Sequence, residues 1–252
     1  MNGINGQKVV VVGGSSGIGL GVAKLAAERG ANVVIVSRSM EKLEKAAKTI
    51  DSSVQMATLD ASDELAVKDF FANIDFFDHL VCTTHDSSKA TMAGSFVPIE
   101  QSDSKDCATF MNSKFWAQFN CAKYAISKLS EKGSITLTSG IASKHFVRGH
   151  ALVAAVNAAV DSFAKMFARE IGPKRINVVC PGLIMTPTLD SLPGDDKDKL
   201  LEHITENLPV QKIASPAAIA EAYLYLMQSP YHTADIVTVD GGYSPGLSKH
   251  KH

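Results

Sequence analysis

Apolar residues along the chain fall into two alternating patterns. Short runs rich in β-branched residues occupy 8–12, 32–36, 54–59, 79–83, 134–138, 176–180 and 236–239, each with the length of a buried strand. Between them, apolar positions recur at helical spacing over 18–29, 41–50, 64–71, 105–129, 151–171 and 217–227. Strands separated by helices of this length predict parallel pairing, because a parallel neighbour is reached only through a crossover connection. The predicted fold is α/β: a single Rossmann-like doubly wound parallel sheet, three layers deep, with helices on both faces. No linker, repeat or low-complexity tract breaks the rhythm, so 1–252 reads as one domain. Two polar segments, 85–103 and about 183–210, fall where loops at the carboxyl ends of strands border a ligand crevice, and the tail from about 246 reads as solvated. No apolar run reaches the length of a bilayer helix, and the first residues do not have the make-up of a secretory signal.

Composition narrows the partners. The hydrophobic share of 45% and the charged share of 20% are those of an ordinary globular chain. Lys and Arg total 25 against 26 Asp and Glu, a formal charge of -1, so no net field draws the chain to nucleic acid or an anionic membrane. A small-molecule partner fits better. Cys82, Cys107, Cys121 and Cys180 stand far apart without a C-x-x-C pair, which suits neither a disulfide scaffold nor a metal site. They read as reduced thiols of a cytoplasmic protein.

The first strand runs straight into Gly13, Gly14, Ser15, Ser16, Gly17, Ile18 and Gly19 and then into a helix, the context a dinucleotide fingerprint requires. Glycines permit the tight turn and the close approach of backbone to pyrophosphate, and the helix N-terminus offers free N–H donors. The second strand ends at Ser37 and Arg38, with Ser37 20 residues beyond Gly17 (37 minus 17), where an NAD-binding chain presents a carboxylate to the ribose 2′-hydroxyl. A small hydroxyl followed by a guanidinium suits a 2′-phosphate instead, so NADP(H) is favoured over NAD(H).

With these residues in place, the chain resembles the short-chain dehydrogenase/reductase family over nearly its whole length. Residues 12–19 are similar to that family's T-G-x-x-x-G-I-G, with Val12 in the Thr slot. Residues 59–63 resemble the segment that contacts adenine, which implies Asp60 and Ala61 there, and Thr83 stands in the turn where the family has N-N-A-G. Asn112 occupies the place of the family's active-site Asn, and Ser139 that of its catalytic Ser. Pro181, Gly182, Ile184 and Thr186 lie in a stretch similar to the P-G-x-x-x-T that holds the nicotinamide carboxamide, and residues 239–242 match the V-D-G-G ending. The resemblance implies an NADP(H)-dependent oxidoreductase that transfers a hydride between nicotinamide and a small carbonyl or alcohol. It also implies a homodimer or homotetramer paired through 105–129 and 151–171.

The family's Tyr-x-x-x-Lys is missing: Val153 and Asn157 fall in those slots, and the five tyrosines lie elsewhere. Carbonyl reduction needs a proton for the developing alkoxide, and a positioned general acid contributes roughly 10²- to 10⁴-fold. Ser139 would polarise the carbonyl, while His150, three residues before Val153, or an ordered water would donate the proton. Lys144, His145, Arg148 and His85 are further candidates. The alternative is a non-redox protein, an isomerase, a cyclase or a cofactor sensor, that binds the nucleotide without turning it over. A Ser-His-Asp hydrolase fits poorly, because Ser139 is not in a G-x-S-x-G elbow.

Overall fold

Strand β1 (Lys8–Val12) contributes consecutive valines to both sides of the sheet, Val10 and Val12 to one core and Val9 and Val11 to the other. In this computed structural model, which describes residues 3–50, 53–86, 88, 91, 94–145, 147–185, 201–202 and 204–243, β1 pairs in parallel with β2 (Asn32–Ser37) and β4 (Phe77–Cys82). Beyond β2 lies β3 (Gln55–Thr58). Beyond β4 lie β5 (Leu129–Thr138), β6 (Arg175–Pro181) and β7 (Ile236–Val239), giving the order β3-β2-β1-β4-β5-β6-β7 with every pairing parallel. The chain reverses its direction of sheet building between β1 and β4, so their carboxyl ends splay apart and open a crevice.

Helices α1 (Gly17–Glu28) and α2 (Met40–Ala47) cover one face, as does the last helix, Pro216–Gln228. The other face is covered by α3 (Glu64–Asn73), α5 (Ala117–Ala125) and α6 (Ala151–Ile171), with α4 (Ser104–Met111) leading into α5. Pro216–Gln228 is α7. Caps mark several helix starts: Asp63 accepts from the Leu65 and Ala66 N–H groups, Asp103 from Lys105, and Ser215 from Ala218 ahead of a proline at the first helical position. At the far end of α7, Arg175 enters the core and donates to the carbonyls of Leu226, Met227 and His232 at 2.7–3.2 Å.

Two sequence expectations need correction. The segment 105–129 is not one helix: a π-helical turn, Asn112–Trp116, separates α4 from α5, the helix ends at Ala125, and β5 begins at Leu129. Apolar spacing does not register one extra residue in a turn, and the polar residues 130–132 masked the strand's first half. Helix α6, 21 residues long, also holds an 18-residue stretch of mean hydropathy 1.4, long and apolar enough for a membrane span, where the sequence predicts no run of that length. Its alanines hid the run, and here the helix lays Val153, Val156, Val160 and Ala164 into the protein interior.

Candidate functional site

The loop after β1 is anchored by backbone bonds from Gly13 and Gly14 N–H to the Val36 carbonyl at 2.9 and 3.2 Å. Gly13 has φ +93°, a left-handed conformation that glycine adopts freely. The Thr83 hydroxyl donates to the Val12 and Gly13 carbonyls at 3.4 Å, tying the end of β4 to this loop. Gly19 has no room for a side chain, because a Cβ there would collide with the Gly13 carbonyl and the Thr83 hydroxyl. Ser16 is the N-cap of α1 but makes no capping bond through its side chain, which leaves the first-turn N–H groups of Gly17, Ile18 and Gly19 and the positive end of the helix dipole at the crevice. Ser15 is partly exposed at the same rim.

Around this loop stand the other residues expected at a cofactor. Ser37 accepts from the Ser39 N–H at 3.3 Å, and Arg38 projects outward with 59% of its side chain exposed, its guanidinium 3.5 Å from Asp86. Asp60 is exposed and takes Ser62 N–H and hydroxyl bonds on one carboxylate oxygen, while Ala61 is buried beneath it. On the far side of the crevice Pro181 closes β6, Gly182 donates to the Val239 carbonyl at 3.0 Å, and Ile184 is buried in a bridge with Ala214. Thr186 lies outside the described residues, as do 186–200 of the expected substrate loop. The open glycine cradle, the uncapped helix end and an outward arginine at the end of β2 fit a phosphorylated dinucleotide.

The expected acid–base residues are arranged differently from the sequence reading. Val153 packs with Phe110 and Val156 against Met111, Phe115, Ala142 and Leu152, so the Tyr slot is filled by core. Asn157 and Asp161, one turn apart on α6, are both buried. Burial raises the pKa of both Asp161 and Cys180, and the Ser139 hydroxyl, buried with them and without a hydrogen bond of its own, lies close enough to oppose that shift only in part. Ser139 is 2% exposed at the end of β5, where the catalytic role expected for it would have to be exercised. Asn112 is partly exposed at the start of the π-turn and makes no side-chain hydrogen bond to these groups. His150 stands at the N-cap position of α6 without a side-chain capping bond, sits edge-on to Phe96 at 5.0 Å, and has its pKa lowered from 6.5 by burial and by His145. That leaves it mainly neutral at pH 7.

The structure also brings in Lys114, which sequence reasoning passed over. Its ammonium donates to the Ser139 backbone carbonyl at 3.1 Å, and neighbouring Ser113 accepts from the Asp86 N–H at 3.1 Å. Burial lowers the Lys114 pKa from 10.5 to about 8, against the opposing pull of Cys180 and Asp161. The only sequence signal was a lysine two residues after Asn112, and a continuous helix would have given it no particular direction. A cavity of about 530 Å³ is lined by Pro98, Ile99, Ala142, Ser143, His145, His150 and Ala154 among others. An Arg148–Glu100 ion pair at 2.6 Å joins residues from its two sides. Among the described residues no three His, Cys, Asp or Glu side chains are gathered as for a metal ion.

Comparison with known proteins agrees with this geometry. Residues 12–244 match the family described as enoyl-(acyl carrier protein) reductase. The chain is 30% identical to the short-chain dehydrogenase/reductase ATR9 of Stachybotrys chlorohalonatus, over 95% of this chain and 97% of that protein. It is 29% identical to carbonyl reductase family member 4 of Danio rerio, over 92% and 96%. Among solved structures, a small-chain dehydrogenase in complex with NADPH superposes with a TM-score of 0.79 at 32% identity, covering 96% of this chain and all of that one. The MalC reductase/Diels-Alderase of Malbranchea aurantiaca superposes at 0.84 with 28% identity, covering 95% and 96%. On the strength of the parallel sheet, the glycine cradle and these matches, the chain belongs to the short-chain dehydrogenase/reductase family.

Proposed function

We propose that the protein is an NADP(H)-dependent oxidoreductase acting on a small carbonyl or alcohol held in the cavity beside His150. The observation that carries this reading is the crevice between β1 and β4, where an uncapped helix end meets an outward arginine. Gly13, Ser15, Ser16, Gly17, Ile18 and Gly19 would cradle the pyrophosphate, and Ser37 and Arg38 would hold the 2′-phosphate. Asp60, Ala61 and Thr83 would border the adenosine, with Pro181, Gly182, Ile184 and Thr186 at the nicotinamide. The bound cofactor supplies the hydride that reduces the carbonyl carbon. The chain's own task is to orient the carbonyl, exclude water and deliver a proton.

Arg38 exchanges its exposed contact with Asp86 for the phosphate, a charge-assisted contact worth about 1.5–3 kcal/mol. Arg38→Ala is therefore expected to weaken NADPH binding by about 10- to 100-fold and leave NADH nearly unchanged. Calorimetric titration of both nucleotides checks this, and equal losses for the two would refute the 2′-phosphate assignment. Turnover is tested by following NADPH absorbance across a panel of small carbonyl compounds.

A second reading, binding without redox turnover, draws on the apolar filling of the Tyr slot by Val153 and on the likeness to the MalC reductase/Diels-Alderase. It predicts tight NADPH binding with no oxidation on any panel member.

Two copies are expected to pair through the aromatic face of Phe115, Trp116, Phe119, Phe163 and Phe167, whose rings lie 4.9–6.2 Å from their neighbours. Trp116 is 46% exposed and Met166 61% exposed on this face. Sedimentation velocity should show Trp116→Lys shifted towards monomer, and an unchanged dimer in that variant would place the contact elsewhere.

A further inference from the structure

We propose that Lys114 is the proton donor of this site: its ammonium, carried by the π-turn to the carboxyl end of β5 and faced by Asp161, protonates the oxygen of a bound carbonyl compound in place of the missing tyrosine. The inference rests on the oxidoreductase reading above and assigns the group that reading leaves open.

Three observations carry it. Lys114 comes from a different helix than the family's lysine, yet it ends on the backbone of Ser139, the strand-end residue below the crevice. The carbonyl it holds lies two residues before the short Ile141–Ser143 turn, whose Ala142 and Ser143 line the cavity. The residue that holds the ammonium is thus joined directly to the segment that lines the cavity. Lys114 also keeps part of its surface open, whereas Ser139, Asn157 and Asp161 around it are buried. Finally, the Ser139 hydroxyl, Asn157 Oδ1 and Asp161 Oδ1 are buried without hydrogen-bond partners, so the polar pocket is built but incompletely satisfied.

The groups facing Lys114 decide its titration. Asp161 of α6 and Cys180 of β6 favour the ammonium, His85 beyond β4 lies close enough to be coupled to it, and Lys144 faces Asp161 and Cys180 from the other side. Burial outweighs the favourable charges and brings the group to about 8, near the pH at which a general acid works best. His150, mainly neutral at pH 7, serves less well for donation. In the step itself an Nζ–H bond breaks, its electron pair stays on nitrogen, and the proton forms the O–H of the alcohol as the carbonyl carbon accepts the hydride from NADPH. Solvent at the open edge of Lys114 then returns a proton to the amine.

The sign follows from the ammonium being the active form. Reduction should be steady below about pH 8 and fall above it, and alcohol oxidation, which needs the free amine, should rise through the same pH. Lys114→Met and Lys114→Arg are the test variants. Arginine keeps the charge but does not release a proton, so both are expected to lose roughly 10²- to 10⁴-fold in carbonyl reduction and the limb near pH 8. Both should retain NADPH affinity in titration.

An independent readout is the pH dependence of lysine acetylation, mapped by peptide mass spectrometry on the wild-type protein with and without NADPH. Lys114 should label with a midpoint near 8 and be protected by the nucleotide. A midpoint like that of exposed lysines, absence of protection, or full activity in Lys114→Arg overturns the donor role. Wild-type protein that binds NADPH but reduces nothing on the panel overturns the oxidoreductase reading together with this one. Wild-type turnover that Lys114→Met leaves unchanged overturns this one alone.

Discussion

The Gly19→Val protein is expected to fold but to lose at least about 100-fold in NADPH affinity. The new Cβ would enter the space of the Gly13 carbonyl and the Thr83 hydroxyl, and the Gly13 contact is rigid backbone that has to move. Overpacking of this kind costs about 1–3 kcal/mol, which a domain with a typical stability of about 5–15 kcal/mol survives. The displaced loop no longer aims its N–H groups at a pyrophosphate. Losing two charge-assisted bonds at about 1.5–3 kcal/mol each gives the expected drop in affinity. Circular dichroism shows whether the chain is folded, and titration reads the binding. A folded Gly19→Val protein with wild-type affinity would mean the nucleotide does not use this loop.

Arg175→Met is expected to give the largest loss of stability, about 3–5 kcal/mol. Arg175 is 8% exposed and has no carboxylate partner among the described residues. Its charge is balanced by three carbonyls, those of Leu226 and Met227 in the last turn of α7 and that of His232 just after it. Cations are favoured at that end of a helix, and methionine of similar reach leaves the Leu226 and Met227 oxygens without this donor in the core, while the His232 carbonyl keeps its bond from Asn177. A fall of roughly 10 °C in the melting midpoint should follow. A midpoint within a degree of wild type would show that water or a neighbour takes over those carbonyls.

The cofactor half of the site was legible because its chemistry is local. Gly13 to Gly19, Ser37 and Arg38 sit at the ends of strands whose apolar runs announce them, and β1 and β2 bring those ends together in register. The acid–base half proposed above was not legible, because it depends on contacts between the π-turn, α6 and the end of β5 that no spacing rule encodes. His150 is near Val153 in the chain and was favoured for that reason, whereas Lys114 reaches Ser139 from 25 residues away in sequence. Ser139 was expected at the substrate on the strength of the family resemblance, and its buried hydroxyl lies near Asp161 and Cys180, contacts that no spacing announces. The sheet itself, built of buried β-branched runs, came through with ends shifted by a few residues, apart from the earlier start of β5 at Leu129.

The π-turn makes the direction of Lys114 a matter of chain length. A turn closed to the fifth residue holds one residue more than a turn closed to the fourth. Deleting Ser113 would let α4 and α5 join as one regular helix, with a rotation of about 100° between the two halves. The lysine would then leave the Ser139 carbonyl without any change in its identity. For the same reason, grafting a lysine at the matching column of a relative with a straight helix would not recreate this site, since the graft would carry the residue without the count that aims it.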